Sequence, residues 1–248
     1  GILKREEPIV QELANEYLTE QGIAILNDVT LNSVSNDGDK PVITANNQNY
    51  TFDAVLYATG RKANTANIGL EHTDIATNER GAIVVNDTCE SSVPGVYAVG
   101  DVNGGPQFTY ISLDDFRIVF GALTGNSQYT LKDRKNIPYT TFLTPPLSRV
   151  GLTEEDAINQ GYTVKTKEML VATMPRAHVN DYLKGAFKIV VDADNDLILG
   201  ATLYSQGAEE LINLIKMAMD NNIPYTYFKN QIFTHPTMAE NLNDLCNF

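Results

Sequence analysis

Cysteine is nearly absent. Only Cys89 and Cys246 occur, far apart, so there is neither a disulfide framework nor a CxxC pair to bind zinc or cycle between thiol and disulfide. Basic side chains are also short in supply: 18 Lys and Arg stand against 31 Asp and Glu, a formal net charge of −13. A chain this acidic repels nucleic-acid phosphates and anionic lipid, and no basic stripe reverses that, so neither partner is expected. No uncharged apolar run approaches the ~18 residues of a membrane helix. The opening Gly1-Ile2-Leu3-Lys4-Arg5-Glu6-Glu7 lacks the basic, apolar, small-residue order of a signal peptide. A soluble cytoplasmic protein is the expectation that remains. The strong local fingerprints are missing too: there is no GxGxxG, P-loop, HExxH or GxSxG, and no metal site is expected.

What is present is ordinary globular material. The 248 residues are 43% apolar and 20% charged, enough for one large domain or two smaller ones. A start on Ile-Leu-Lys-Arg with no initiator Met reads as a piece of a longer chain, unless Gly1 is the remnant of a tag.

Glu6-Glu7-Pro8 opens a helix whose apolar face is Ile9, Val10, Leu13, Ala14, Tyr17 and Leu18, stopped by Gly22. A short strand is expected at 23–26 and a β-meander over 29–52, with reversals at Asn36-Asp37-Gly38-Asp39 and Asn46-Asn47-Gln48-Asn49. Further strands are expected at 50–57, 82–85 and 95–101, then a helix over 110–124 and a polar linker over 124–136. Beyond it, strands at 138–143, 163–173, 186–192 and 197–204 alternate with helices at 153–160, 207–221 and 237–246. The turn Asp192-Ala193-Asp194-Asn195-Asp196 makes a hairpin of two of those strands. That half reads as α+β, an antiparallel sheet covered by helices.

Four short signals carry chemistry, each with a plain structural reading beside it. Tyr57-Ala58-Thr59-Gly60-Arg61 is a strand end where a backbone can approach a ligand closely, or an ordinary turn. Val96-Tyr97-Ala98-Val99-Gly100-Asp101 delivers a carboxylate suited to a ribose or ribityl hydroxyl, or an Asp that starts a turn. Pro145-Pro146-Leu147-Ser148-Arg149-Val150-Gly151-Leu152-Thr153-Glu154-Glu155 ends on a capped, acidic helix start, which structure alone explains. In Thr234-His235-Pro236-Thr237-Met238-Ala239-Glu240 the carboxylate comes within reach of the imidazole, as a general acid-base needs, although a lone His is more often structural. His72 and His178 are read as structural.

In this order the four signals resemble the pyridine nucleotide-disulfide oxidoreductases, the family of glutathione reductase, dihydrolipoamide dehydrogenase and mercuric reductase. The resemblance covers essentially the whole chain. Met174-Pro175-Arg176-Ala177 and Glu240-Asn241-Leu242-Asn243-Asp244-Leu245 are most similar to the mercuric-reductase-like branch. It implies a fold of α/β plus α+β class. Residues 1–53 would be the tail of an NAD(P) domain, 54–137 the returning FAD segment, and 138–248 an α+β interface (dimerisation) domain with an antiparallel sheet. The FAD fingerprint, the redox CxxxxC pair and the NAD(P) fingerprint would all precede Gly1. FAD and NAD(P)H would then be cofactors of the full-length protein, with none retained by these residues alone.

Carried over, Gly60, Gly100, Asp101, Thr109 and Val150 would be cofactor-binding: Asp101 on the ribityl chain, Thr109 at a helix start facing the flavin pyrimidine, Val150 near the nicotinamide. His235, oriented by Glu240, would be the catalytic acid-base acting on the redox thiols of the other subunit. The substrate would be a small molecule with a disulfide, or a metal ion, and the protein a homodimer through its C-terminal domain. The alternative is a non-catalytic dimerisation module without flavin. Two positions depart from the family pattern: Ala63 replaces a common Pro, and Ser112-Leu113-Asp114-Asp115 is more acidic than usual. Cys89 and Cys246 do not match the redox pair and are read as structural. The helical apolar sets Ala208, Leu211, Ile212, Leu214, Ile215, Ala218, Met219 and Met238, Leu242, Leu245, Phe248 are compatible with an interface, or with helices covering their own sheet.

Overall fold

Pro8 occupies the first turn of helix α1 (Pro8–Glu20), where its missing N–H costs nothing, and Val10, Ala14 and Tyr17 recur along one buried face. That face packs on Leu147 and Tyr204. The computed structural model describes residues 1–248. After α1 come β1 (Leu31–Asp37), β2 (Lys40–Ala45), β3 (Gln48–Thr51), α2 (Thr109–Leu123), β4 (Tyr139–Thr141), β5 (Leu147–Gly151) and α3 (Glu154–Asn159). They are followed by β6 (Val164–Leu170), α4 (Pro175–Val179), β7 (Ala186–Asp192), β8 (Ile198–Tyr204), α5 (Ala208–Asp220), α6 (Tyr225–Asn230) and α7 (Asn241–Leu245). Two compact units result: Gly1–Ala54 with Asn136–Phe248, and Val55–Lys135. No helix is long and apolar enough to cross a membrane.

In the first unit β1, β2 and β3 form the expected antiparallel meander. Its second reversal uses Asn46 and Asn47 at φ 50° and 62°, the left-handed pair that a type I′ two-residue hairpin requires. A second antiparallel sheet runs β4-β5-β8-β7-β6. β7 is buried along its whole length and pairs with β8 through the expected 192–196 hairpin. Adjacent residues Leu203 and Tyr204 point to opposite faces of β8. Leu203 joins the large apolar core with Phe187, Ile189, Ile212 and Ile215, where α5, α6 and α7 cover the sheet, and Tyr204 meets α1.

The second unit contains little regular structure besides α2. Its strands reduce to single bridges, Thr77 with Ile83, Val85 with Ser91 and Glu90 with Tyr97. Several expectations are corrected here. The 23–26 strand does not form, and Ile23 and Leu26 are exposed. The 50–57 strand stops at Thr51, leaving Leu56 89% exposed. The 82–85 strand shrinks to bridges, and the 95–101 strand ends as a 3-10 turn over Gly100–Asn103 with Val96 and Val99 exposed. Each has strand-like residues but no neighbouring strand to complete a ladder. In the sheet unit, β6 ends at Leu170, α7 begins at Asn241, and β5, α4 and α6 add elements that the periodicity did not indicate. Both sheets are antiparallel, so the architecture is mixed α and β without a parallel core.

Candidate functional site

In the Val55–Lys135 unit, one groove of about 480 Å³ is lined by Arg61, Val99, Gly100, Asp101, Gln107, Phe108, Thr109 and Ser112. Its floor is the 3-10 turn Gly100–Asn103 and its wall is the start of α2. Gly100 is required there. Its φ is +73°, and a Cβ would lie 2.6 Å from Ser112 Oγ on α2. Asp101 then stands half-exposed, with Arg61 Nη1 3.7 Å from its Oδ2, an exposed pair worth little by itself.

Helix α2 has no side-chain cap: Phe108 at the N-cap offers none, so the first-turn N–H groups at Thr109 and Tyr110 keep their positive character. A carboxylate and a set of bare helix amides thus flank one cleft. The residues fit an elongated polyhydroxyl or anionic group, with an acceptor for hydroxyls and donors for developing negative charge.

Behind the cleft lies Asp115, fully buried on α2. Its Oδ2 accepts from the Gly100 amide at 2.7 Å and from Asn103 Nδ2 at 2.9 Å, while Oδ1 accepts from Arg134 Nη2. Arg134 Nε donates to Asp114 at 2.7 Å. Burial lowers the Arg134 pKa, but the hydrogen bonds to Asp115 and Asp114 more than reverse this and the net shift is upward. The sequence signal for this network was the acidic Asp114-Asp115 pair on a helix; its partners were not visible there.

In the other unit, Thr237 and Glu240 form a reciprocal pair ahead of α7. Glu240 N donates to Thr237 Oγ1 and Thr237 N to Glu240 Oε2, both at 3.2 Å. This fixes the carboxylate, and both of its oxygens lie 3.0 Å from His235 Nδ1. Glu240 is 15% exposed and His235 73%. A carboxylate on Nδ1 orients the imidazole and leaves Nε2 as the ring nitrogen outside that contact.

Not every expected residue joins a site. Gly60, at φ +126°, precedes Arg61 but does not line the groove. Val150 lies in β5, in the sheet unit, with its side chain fully buried in the apolar core. Cys89 and Cys246 are buried free thiols. No cluster of metal-ligating side chains is present.

Residues 1–115 match the family model "Pyridine nucleotide-disulphide oxidoreductase" and residues 137–246 its dimerisation domain. The chain is 42% identical over 243 residues to "Probable pyridine nucleotide-disulfide oxidoreductase RclA" of Escherichia coli, covering 98% of this chain and 55% of that protein. It is 34% identical over 245 residues to mercuric reductase of Staphylococcus aureus, covering 97% of this chain and 45% of that protein. The solved HOCl-induced flavoprotein disulfide reductase RclA of Escherichia coli superposes with a TM-score of 0.95 at 41% identity, over 99% of this chain and 57% of that one. The chain therefore spans about half the length of the relatives it matches.

Proposed function

Because the chain belongs to the pyridine nucleotide-disulphide oxidoreductases, we propose that it forms the C-terminal part of an FAD-dependent enzyme carrying electrons from NAD(P)H to a disulfide or a metal ion. Residues 1–53 would be the tail of the NAD(P) domain, 54–137 the returning flavin segment and 138–248 the homodimer interface domain. The observation that carries the reading is the His235–Glu240 pair, with both carboxylate oxygens 3.0 Å from Nδ1 and the ring exposed.

In this proposal the groove beside α2 holds part of the flavin. Asp101 accepts from ribityl hydroxyls, Gly100 lets the backbone come close, and the amides at Thr109 and Tyr110 favour negative charge on the ring. The chemistry supplied by bound FAD is a two-electron relay between nicotinamide and disulfide. Gly60 sets the turn into Arg61 at the groove edge. Val150, its side chain enclosed in the core, would sit near the nicotinamide. His235 exchanges a proton at Nε2 with a redox thiol of the partner subunit, while Glu240 orients the ring.

The test uses the full-length protein in stopped flow. His235→Ala and Glu240→Ala should leave flavin reduction by NAD(P)H largely intact and slow disulfide turnover by ~10²–10⁴-fold, the usual scale of lost acid-base help. Flavin reduction slowed to the same extent would refute the assigned role.

A further inference from the structure

The geometry points to Asp115 as a positioning residue that sets the Gly100–Asn103 turn so that Asp101 presents its carboxylate to the groove. The inference rests on the reading of that groove as a flavin site. A fully buried carboxylate must be satisfied, and Arg134 alone could have done this. Instead the second oxygen is given to the turn. It takes the Gly100 amide at 2.7 Å and Asn103 Nδ2 at 2.9 Å. Asn103 extends the tie in both directions, donating to Ala98 O at 3.2 Å and accepting from Gly105 N at 3.0 Å. One carboxylate therefore fixes the chain from residue 98 to 105.

The side chain inside that clamp is not tied down. The Asp101 carboxylate pairs with Arg61 at 3.7 Å, and the side chain is 48% exposed. Its backbone carbonyl is engaged by Gly104 N, so the main chain is held while the carboxylate stays available. Rigid backbone with a free functional group is the arrangement that spares a ligand the cost of ordering its site. The competing account is that Asp115 and Arg134 merely fasten α2 to the 131–134 turn. In that case the loss of Asp115 would lower stability without acting through Asp101.

A double-mutant cycle on FAD rebinding separates the two. The full-length protein is stripped of flavin, and FAD is titrated into Asp101→Ala, Asp115→Asn, Asn103→Ala and the doubles of the latter two with Asp101→Ala. Each single substitution should weaken FAD binding roughly tenfold, the scale of one charged hydrogen bond. Each double should be within about twofold of Asp101→Ala alone, because the clamp works through that carboxylate. Multiplying effects, or unchanged affinity in Asp115→Asn, would overturn the positioning role. If Asp115→Asn does not fold, Asn103→Ala and its double decide by the same criteria. Unchanged affinity in Asp101→Ala overturns the flavin reading itself and this inference with it. An Asp101 effect without a clamp effect overturns the inference alone.

Discussion

Burial pushes the Cys89 thiol up to about 11 and the Cys246 thiol up to about 12, each from an ordinary value of 9.0. Neighbouring Asp115 adds to the effect at Cys89. Neither sulfur is a thiolate near neutral pH, so neither is a nucleophile in the folded chain. Iodoacetamide at pH 8 should label both only after unfolding, read by intact mass; modification of the native protein within minutes would contradict this. The sign of the pH effect follows. A proton held more tightly when folded favours the fold below pH 9, and that contribution is lost as pH rises through 11 and 12. At this scale legibility depended on distance along the chain. His235 and Glu240 could be paired from sequence because five residues place them together. Asp115 could not, because its partners Gly100 and Arg134 stand 15 and 19 residues away.

Helix α1 is anchored by charge at one end and by a phenol near the other. Lys188, on the buried strand β7, reaches Glu7 Oε2 at 3.0 Å, Glu154 Oε2 at 2.7 Å and Glu168 Oε1 at 3.0 Å. Glu7 is 2% exposed and also accepts from the Glu154 amide at 2.8 Å, so it joins α1 to the start of α3. Tyr17 Oη accepts from the Gly185 amide at 2.8 Å. Lys188→Met leaves a buried carboxylate without its cation and should cost about 3–5 kcal/mol in urea unfolding. A loss below about 1 kcal/mol would mean that the carboxylates find water instead. β7 and β8 were legible as largely apolar segments on either side of the 192–196 turn, and α5 as a helical apolar face. β5 was not, because Ser148 and Arg149 interrupt its apolar residues; their partners are Thr140 Oγ1 at 2.8 Å and the Arg5 carbonyl at 2.8 Å. The strands expected at 50–57 and 95–101 failed for the opposite reason: residue preference is local, whereas a ladder needs a neighbour.

For the whole molecule, the interface-domain proposal predicts a homodimer. The chain mass is 27.3 kDa, and sedimentation at low micromolar concentration should give twice that; a single species at the monomer mass would end the claim. An obligate interface of this kind buries more than ~2,000 Å². The α5 pattern was compatible with a partner, yet Ala208, Leu211, Ile212, Ile215, Ala218 and Met219 are already spent on its own sheet, so any interface must use other surfaces. The division of the chain has a consequence of its own. Gly1–Ala54 and Asn136–Phe248 pack as one compact unit, with the stretch Val55–Lys135 inserted between them along the chain. A protease cutting in that insertion breaks the polypeptide but not the contacts of Val10, Ala14 and Tyr17 with Leu147 and Tyr204, nor the Glu7–Lys188 link. The nicked protein should elute as one particle and separate into fragments only in denaturant, so the N-terminal helix behaves as a non-covalent subunit of the C-terminal domain.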